Sequence, residues 1–425
     1  MLFRVKNLGL IDEAEIKLDG ITVITGENNV GKSTIGKMLY CVNNVFLYGN
    51  VEEVKIRRIE RVIINFFSET DYLLSMRIRK KIIERVQESD FIHSLVYDDK
   101  ALNLRDDLER LLEDLIANDK GSTEQVQEDL VCSLQERVLE VLNMDDVQIH
   151  LGLVGIAVGS NFSSVTHNVY GKNDLTEIDL KLAESEQHIR ISVDEVFFVD
   201  YSKDIVLAEA IYIESPRVAQ DEEKNLIDFN FDRRQRLLKM LVEESDADFW
   251  ETKETKLEIK NILDKVSALA PGNLVKKDSY SNKLEYEEEG RRFDLINVSN
   301  GVKTFAILKK LLINAKLKRN SMLILDEPEI HLHPDWQLVF AEVLVLLQKQ
   351  FKLKILINTH STFFLMALED CSEMYKIVEN CNYYLIERNG NHSVCHDHTD
   401  SLNKIYMHFA NAYDELENLR CDDDQ

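Results

Sequence analysis

Proline is scarce in this sequence, 4 in 425 residues, and glycine reaches only 15. That shortage excludes collagen-like and low-complexity classes and leaves room for long uninterrupted helices. Cysteine is equally thin: the six, Cys41, Cys132, Cys371, Cys381, Cys395 and Cys421, lie without close pairing. A disulfide-stapled fold is excluded, and reduced thiols in the cytoplasm are expected. No apolar run approaches the ~20 residues of a membrane span. The longest, Leu151–Gly159, stops between His150 and Ser160, and Met1-Leu2-Phe3-Arg4 passes straight into a strand pattern, so neither a membrane span nor a signal peptide is expected. Basic residues are in deficit, 51 against 76 acidic ones, for a net charge of −25. Such a surface repels phosphate backbones at long range, so any nucleic-acid contact must be local. Apolar residues, by contrast, make up 44% of the chain, enough to bury a sizeable core.

Residues 2–25 pattern as three short strands, Leu2–Val5, Glu13–Lys17 and Ile21–Thr25. Ile35, Met38, Leu39, Val42, Val45 and Phe46 then place a helix from Gly31 to about Tyr48. Helical spacing recurs through 51–143, as in Leu104, Leu108, Leu111, Leu112 and Leu115, then Leu130, Leu134, Val138 and Leu142. Its first part, from Lys55 to Arg85, is locally basic, and Asp98 to Glu140 is acidic. A period of two predicts an antiparallel meander over Val147–Glu214, with strands at Val147–Val158, Ser164–Tyr170, His188–Val193, Val196–Val199 and Ala208–Ile213. A second helical stretch, about Glu222–Leu269, ends at Pro271-Gly272. Strands Leu274–Lys277, Lys283–Glu287 and Arg292–Ile296 follow, then parallel α/β structure with strands Met322–Leu325 and Lys354–Ile357. The expected architecture is an α/β core, a mixed sheet with an antiparallel subdomain, interrupted by helical insertions. Its pieces are 1–50, a helical insertion 51–145, the antiparallel part 146–220, a second insertion 221–270, the rest of the core 271–400, and a C-terminal helix with acidic tail 401–425.

Gly26-Glu27-Asn28-Asn29-Val30-Gly31-Lys32-Ser33 fits the phosphate-loop pattern G-x-x-x-x-G-K-[ST], and it falls after a strand and at the start of a helix, where the mechanism needs it. Backbone N–H groups from Asn29 to Thr34 would form an anion-binding nest at the helix N-terminus. Lys32 would neutralise the terminal phosphates of ATP, and Ser33 would hold Mg²⁺. About 290 residues later, Met322-Leu323-Ile324-Leu325 runs into Asp326 and Glu327, which places one carboxylate near the metal and the next near the attacking water. His360, in Asn358-Thr359-His360-Ser361 after another apolar strand, could reach the same water or the terminal phosphate. Ser299 and Gly301, in Val298-Ser299-Asn300-Gly301-Val302-Lys303 before an apolar helix, read equally as a helix cap or as an anion contact.

Together these four segments and Leu325-Asp326-Glu327-Pro328-Glu329-Ile330-His331-Leu332-His333-Pro334 resemble the ATPases of the ABC superfamily. The Glu-Pro-Glu-x-x-Leu-His-Pro wording resembles the overcoming-lysogenization-defect (OLD) branch and its bacterial-defence relatives. The resemblance implies an ABC-type P-loop core that binds ATP and Mg²⁺ and dimerises, with Ser299 and Gly301 contacting the nucleotide held by the other protomer and Glu329–Pro334 crossing the interface. A higher oligomer is compatible with it. The signature departs from the usual Leu-Ser-Gly-Gly-Gln, keeping the serine and second glycine, and Gln220 after Ser215-Pro216-Arg217 is the candidate for the transporters' glutamine loop. Many OLD relatives carry a toprim nuclease domain; here 65 residues remain after His360, without an Asp-x-Asp on a strand. Toprim-less ATPases of this kind resemble the ATP-binding subunits of Septu, PARIS and certain retrons, which implies a separately encoded effector.

The alternative is a RecF- or SMC-like ATPase that clamps DNA, with Arg77–Arg85 as its contact. A stand-alone nuclease and a zinc site at Cys371, Cys381, Cys395, His396 and His398 have weaker support, since the cysteine spacing lacks a knuckle.

Overall fold

The computed structural model describes residues 1–48, 51–69, 92–93, 96, 124–162, 166–167, 175–182, 185–192, 196–200, 208–221, 231–243, 253–278 and 282–410. Arg77–Arg85, Leu104–Leu115, most of Ser164–Tyr170 and the acidic tail lie outside them. The chain divides into two compact units, Met1–Leu47 with Val154–Gln425, and Tyr48–Leu153.

The larger unit is built on an eleven-stranded mixed sheet. In chain order the strands are β1 (Leu2–Leu8), β2 (Ile11–Lys17), β3 (Ile21–Gly26), β4 (Thr176–Leu182), β5 (Ser185–Ile191), β6 (Val196–Asp200) and β7 (Ala210–Ile213). A separate three-stranded antiparallel sheet, β8 (Asn273–Lys276), β9 (Leu284–Glu288) and β10 (Arg291–Asp294), comes next. The large sheet then resumes with β11 (Met322–Asp326), β12 (Lys354–Asn358), β13 (Cys381–Asn389) and β14 (His392–Asp397). Its order is β6-β5-β4-β1-β2-β14-β13-β3-β12-β11-β7. From β13 to β7 every pairing is parallel, and β6, β5, β4, β1 and β2 pair antiparallel. β3 and β11 are buried at every position. That is the continuous apolar run of central parallel strands, whereas β2 alternates buried and exposed residues.

Among the described residues the helices are α1 (Lys32–Tyr48), α2 (Val51–Glu69), α3 (Glu124–Leu142), α4 (Asp146–Phe162), α5 (Arg233–Val242), α6 (Lys253–Leu269), α7 (Asn300–Ile313), α8 (Pro334–Phe351) and α9 (Thr362–Met374), and residues 403–410 are helical as well. Among the described residues no single helix is long and apolar enough to cross a membrane. In the smaller unit, Lys55 Nζ donates to the Leu142 carbonyl at 3.0 Å, meeting an orphan acceptor at the end of α3. The Arg137 guanidinium lies over the Phe66 ring at 5.3 Å.

Two expectations are corrected. Val147–Val158 is not a strand but most of α4, and its buried residues, Ile149, Leu153, Val154, Ala157 and Val158, recur at helical steps. Ala208–Ile213 does contain a strand, but β7 pairs parallel with β11 at the edge of the core rather than in an antiparallel meander. That edge is closed by a side chain: Asn44 of α1 donates to the Ala210 carbonyl and accepts from its N–H, both at 2.9 Å.

In α7, Phe305 packs edge-on against both Trp336 and Phe340 of α8, at 5.8 and 5.5 Å between ring centroids. From the same helix, buried Lys309 reaches the end of α6 and donates to the carbonyls of Ala270, Pro271 and Gly272 at 3.3, 3.1 and 3.0 Å. Burial lowers its pKa.

Candidate functional site

The phosphate loop leaves the end of β3 and enters α1. Gly26 at φ 142°, Asn29 at φ 59° and Gly31 at φ 103° trace a path that side chains rarely allow. A Cβ on Gly26 would stand 2.2 Å from the Ile386 carbonyl oxygen, and one on Gly31 2.8 Å from the Ile11 side chain. Val30 is buried beneath the loop, while Asn28 and Asn29 are exposed. Asn29, Val30, Gly31, Lys32, Ser33 and Thr34 line a cavity of 430 Å³ together with Gly9, Leu10, His167 and Glu327.

Opposite the loop, β11 ends at Asp326. Its Oδ1 accepts from Ser33 Oγ at 2.9 Å and from Asn358 Nδ2 at 3.0 Å, and its Oδ2 accepts from the Tyr212 hydroxyl at 3.0 Å. All three donors are neutral, so among the described residues the buried carboxylate has no hydrogen-bonded counter-ion. Burial pushes the Tyr212 phenol well above its ordinary value and the Asp326 charge pushes the same way, which keeps it a donor. Glu327 takes a left-handed backbone, φ 49°, with its N–H donating to the Asn358 carbonyl at 2.9 Å. That turn aims its side chain into the loop cavity, where its Oε1 lies 3.4 Å from His360 Nδ1.

Lys32 Nζ is folded back on the loop, donating to the carbonyls of Gly26 at 2.9 Å and Glu27 at 2.6 Å. Burial lowers its pKa, against the opposing pull of Glu327, Asp326, Glu329 and Glu27. Buried Glu329 accepts from Thr359 Oγ1 at 2.5 Å, and burial raises its pKa despite that bond.

The chemistry of this donor set fits Mg²⁺-ATP. A glycine-shaped loop at the start of a helix, an ammonium hydrogen-bonded to two neutral carbonyls, and a serine hydroxyl touching a buried carboxylate are complementary to phosphates and a hard cation.

The signature segment stands apart from the cavity. Ser299 caps α7, its Oγ accepting from the Val302 N–H at 3.3 Å, and Gly301 is buried where a Cβ would come within 3.1 Å of the His331 carbonyl oxygen and of Trp336. Neither lines the 430 Å³ space. Gln220 bonds the Leu295 carbonyl at 3.4 Å and faces a different cavity with Arg217, Arg233 and Arg234. Among the described residues no three of His, Cys, Asp and Glu are grouped to hold a metal, Cys371, Cys381, Cys395, His396 and His398 included. Sequence reasoning missed Tyr212 and gave Asn358 no role. Asn358 carried a signal, an amide closing the apolar run Lys354–Ile357, and Tyr212 carried none.

Strand, loop, helix and facing carboxylates define a P-loop ATPase. The model of the AAA ATPase domain family matches residues 1–365, and the chain belongs to that family. No curated protein matches it. Among solved structures it is similar to an Smc head with an extended coiled coil bound to the C-terminal domain of ScpA derived from Pyrococcus furiosus, at 12% identity and TM-score 0.42, covering 99% of this chain and 98% of that one. It is also similar to the SMC head domain from Thermotoga maritima, at 10% identity and TM-score 0.36 over 93% and 97%. The recombination mediator RecF is a third, at 10% and 0.34 over 93% and 98%.

Proposed function

We propose that the chain is the ATP-binding and hydrolysing subunit of a bacterial anti-phage defence complex, that it dimerises around Mg²⁺-ATP, and that this state controls a separately encoded effector, a nuclease or toxin. The observation that carries hydrolysis is the run of contacts joining the loop to the two carboxylates: Ser33 and Glu327 line one cavity, Asp326 accepts from Ser33 at 2.9 Å, and His360 lies 3.4 Å from Glu327. In this reading the loop N–H groups and Lys32 bind the phosphates, and Ser33 with Asp326 holds the metal. Glu327 orients and deprotonates the attacking water, and His360 steadies Glu327. When bound, Mg²⁺ supplies Lewis-acid polarisation of the phosphoryl oxygens.

Dimerisation is supported by apolar side chains beside the signature. Ile296 is 72% exposed and Ile330 51% exposed, and the Ile330 loop runs past Gly301 through the His331 carbonyl. Defence is supported by the wording of residues 327–334, and control of an effector by the helical segments that interrupt the core.

The test is affinity capture of tagged Glu327→Gln from its native host with Mg²⁺-ATP, since loss of the base is expected to trap the nucleotide-bound state. A stoichiometric nuclease or toxin is the expected result. DNA without such a protein would refute the defence reading in favour of a repair ATPase.

A further inference from the structure

The buried carboxylate of Asp326 has two faces, and only one is accounted for by the phosphate-loop chemistry. Among the described residues Oδ1 meets Ser33 and Asn358, whereas Oδ2 meets only the Tyr212 hydroxyl. Tyr212 comes from β7, the edge strand beside β11, and is 2% exposed. Its ring is fixed on several sides. The Arg233 guanidinium lies 5.5 Å from its centroid, and Tyr40 of α1 meets it edge-on at 6.0 Å. Arg233 is itself held by both oxygens of Glu214 at 2.9 Å and by Asn161 at 3.1 Å. Gly36 of α1 packs beneath this group: a Cβ there would stand 3.2 Å from the Ile324 side chain, 3.3 Å from Asn358 Nδ2 and 3.4 Å from the Tyr212 ring, so it would press on Ile324 and Asn358 and just touch the tyrosine.

We propose that Tyr212 is a positioning residue for the metal: its hydroxyl fixes the rotation of the Asp326 carboxylate so that Oδ1 is presented to Ser33 and the cation. Without that bond the carboxylate is held through Oδ1 alone, by Ser33 and Asn358, and Oδ2 can swing about a torsion that is broad for an aspartate, so the metal must supply part of the ordering itself. The role acts through Asp326, so it falls on the metal requirement more than on the chemical step.

The inference rests on metal-dependent ATP binding by the site described above. The experiment titrates Mg²⁺ against a fluorescent ATP analogue and against thermal unfolding, in wild type, Tyr212→Phe and Gly36→Ala. Tyr212→Phe keeps the ring and removes only the hydroxyl. Loss of one hydrogen bond to a charged acceptor predicts an increase of about tenfold in the Mg²⁺ concentration for half-maximal nucleotide binding. Affinity for the metal-free nucleotide is expected to hold, and the Mg²⁺ half-saturation of hydrolysis to move further than kcat. Gly36→Ala should shift the Mg²⁺ requirement in the same direction by less. A purely structural role would lower the melting temperature and leave the Mg²⁺ requirement alone; that result in Tyr212→Phe overturns the assignment. A wild type whose nucleotide binding ignores Mg²⁺ overturns the site reading together with it, whereas a wild-type response matched by Tyr212→Phe removes the role of Tyr212 alone.

Discussion

Lys309→Met is the most direct probe of how the signature helix is tied to the rest of the core. The ammonium of Lys309 is buried and satisfied by three carbonyls, those of Ala270, Pro271 and Gly272, at the turn that ends α6. Those carbonyls include helix-end acceptors that lack intrahelical partners, and the negative end of the α6 dipole favours a cation there. Methionine keeps the length and apolar packing of the stem while removing every donor. Hydrogen bonds from a charged group contribute roughly 1.5–3 kcal/mol each, and two of the three have good lengths, so the gross loss is about 5 kcal/mol. Against it stands the desolvation of a buried ammonium, taken as about 2 kcal/mol for such an ion; burial lowers the pKa of Lys309 in the same sense. The expected net destabilisation is about 3 kcal/mol. With an m-value of about 3 kcal/mol/M, the urea midpoint of the transition that reports the core should fall by about 1 M at unchanged slope. Circular dichroism and tryptophan fluorescence both follow it, since Trp336 packs on α7. A midpoint within about 0.2 M of wild type would show that the ammonium does not hold the turn and would refute the reasoning.

Lys32→Ala should abolish ATP hydrolysis and weaken nucleotide binding in a phosphate-release assay and a binding titration; retained turnover would remove the phosphate-loop assignment. Gly301→Ala sets a helix-propensity gain of about 1 kcal/mol against about 2 kcal/mol of crowding on the His331 carbonyl and Trp336, so a melting temperature lowered by a few degrees is expected, and an unchanged or higher one contradicts the packing. Burial alone would raise the pKa of Glu214, but Arg233, Lys37 and Arg234 outweigh it and hold the carboxyl below its ordinary 4.5. A depressed acid stabilises the fold above its unfolded value and loses that contribution as pH falls through the folded value. Wild type should therefore melt above Glu214→Gln at pH 7, with the gap closing in acid below about pH 4.5; parallel profiles would contradict it.

What the sequence made legible followed from strong local pattern. β3, the phosphate loop and α1 were readable because an apolar strand, a glycine pattern and a helical stripe abut without a gap, and β11 and β12 because each is a short apolar run ending in polar residues. Val147–Val158 misled for a physical reason. Val147, Ile149, Leu151 and Leu153 alternate as a strand would, but the buried pairs Ile149/Leu153 and Val154/Val158 satisfy a helix equally, and a run of this length favours one. The direction of β7 depends on which strand it meets across more than a hundred residues of chain, which local periodicity does not encode. Tyr212 was hidden for the same cause: its meaning lies wholly in Asp326, on a neighbouring strand.

The position of β3 has a consequence for biosynthesis. The strand that launches the phosphate loop pairs only with β12 and β13, both from the last quarter of the sequence. A chain emerging N-terminus first therefore exposes its loop sequence early but leaves β3 with two unsatisfied edges until residues 354–389 arrive. Products truncated before β12 keep the whole glycine motif and lack the sheet that gives it shape, so the ability to hold a nucleotide is withheld until residues 354–389 have been made.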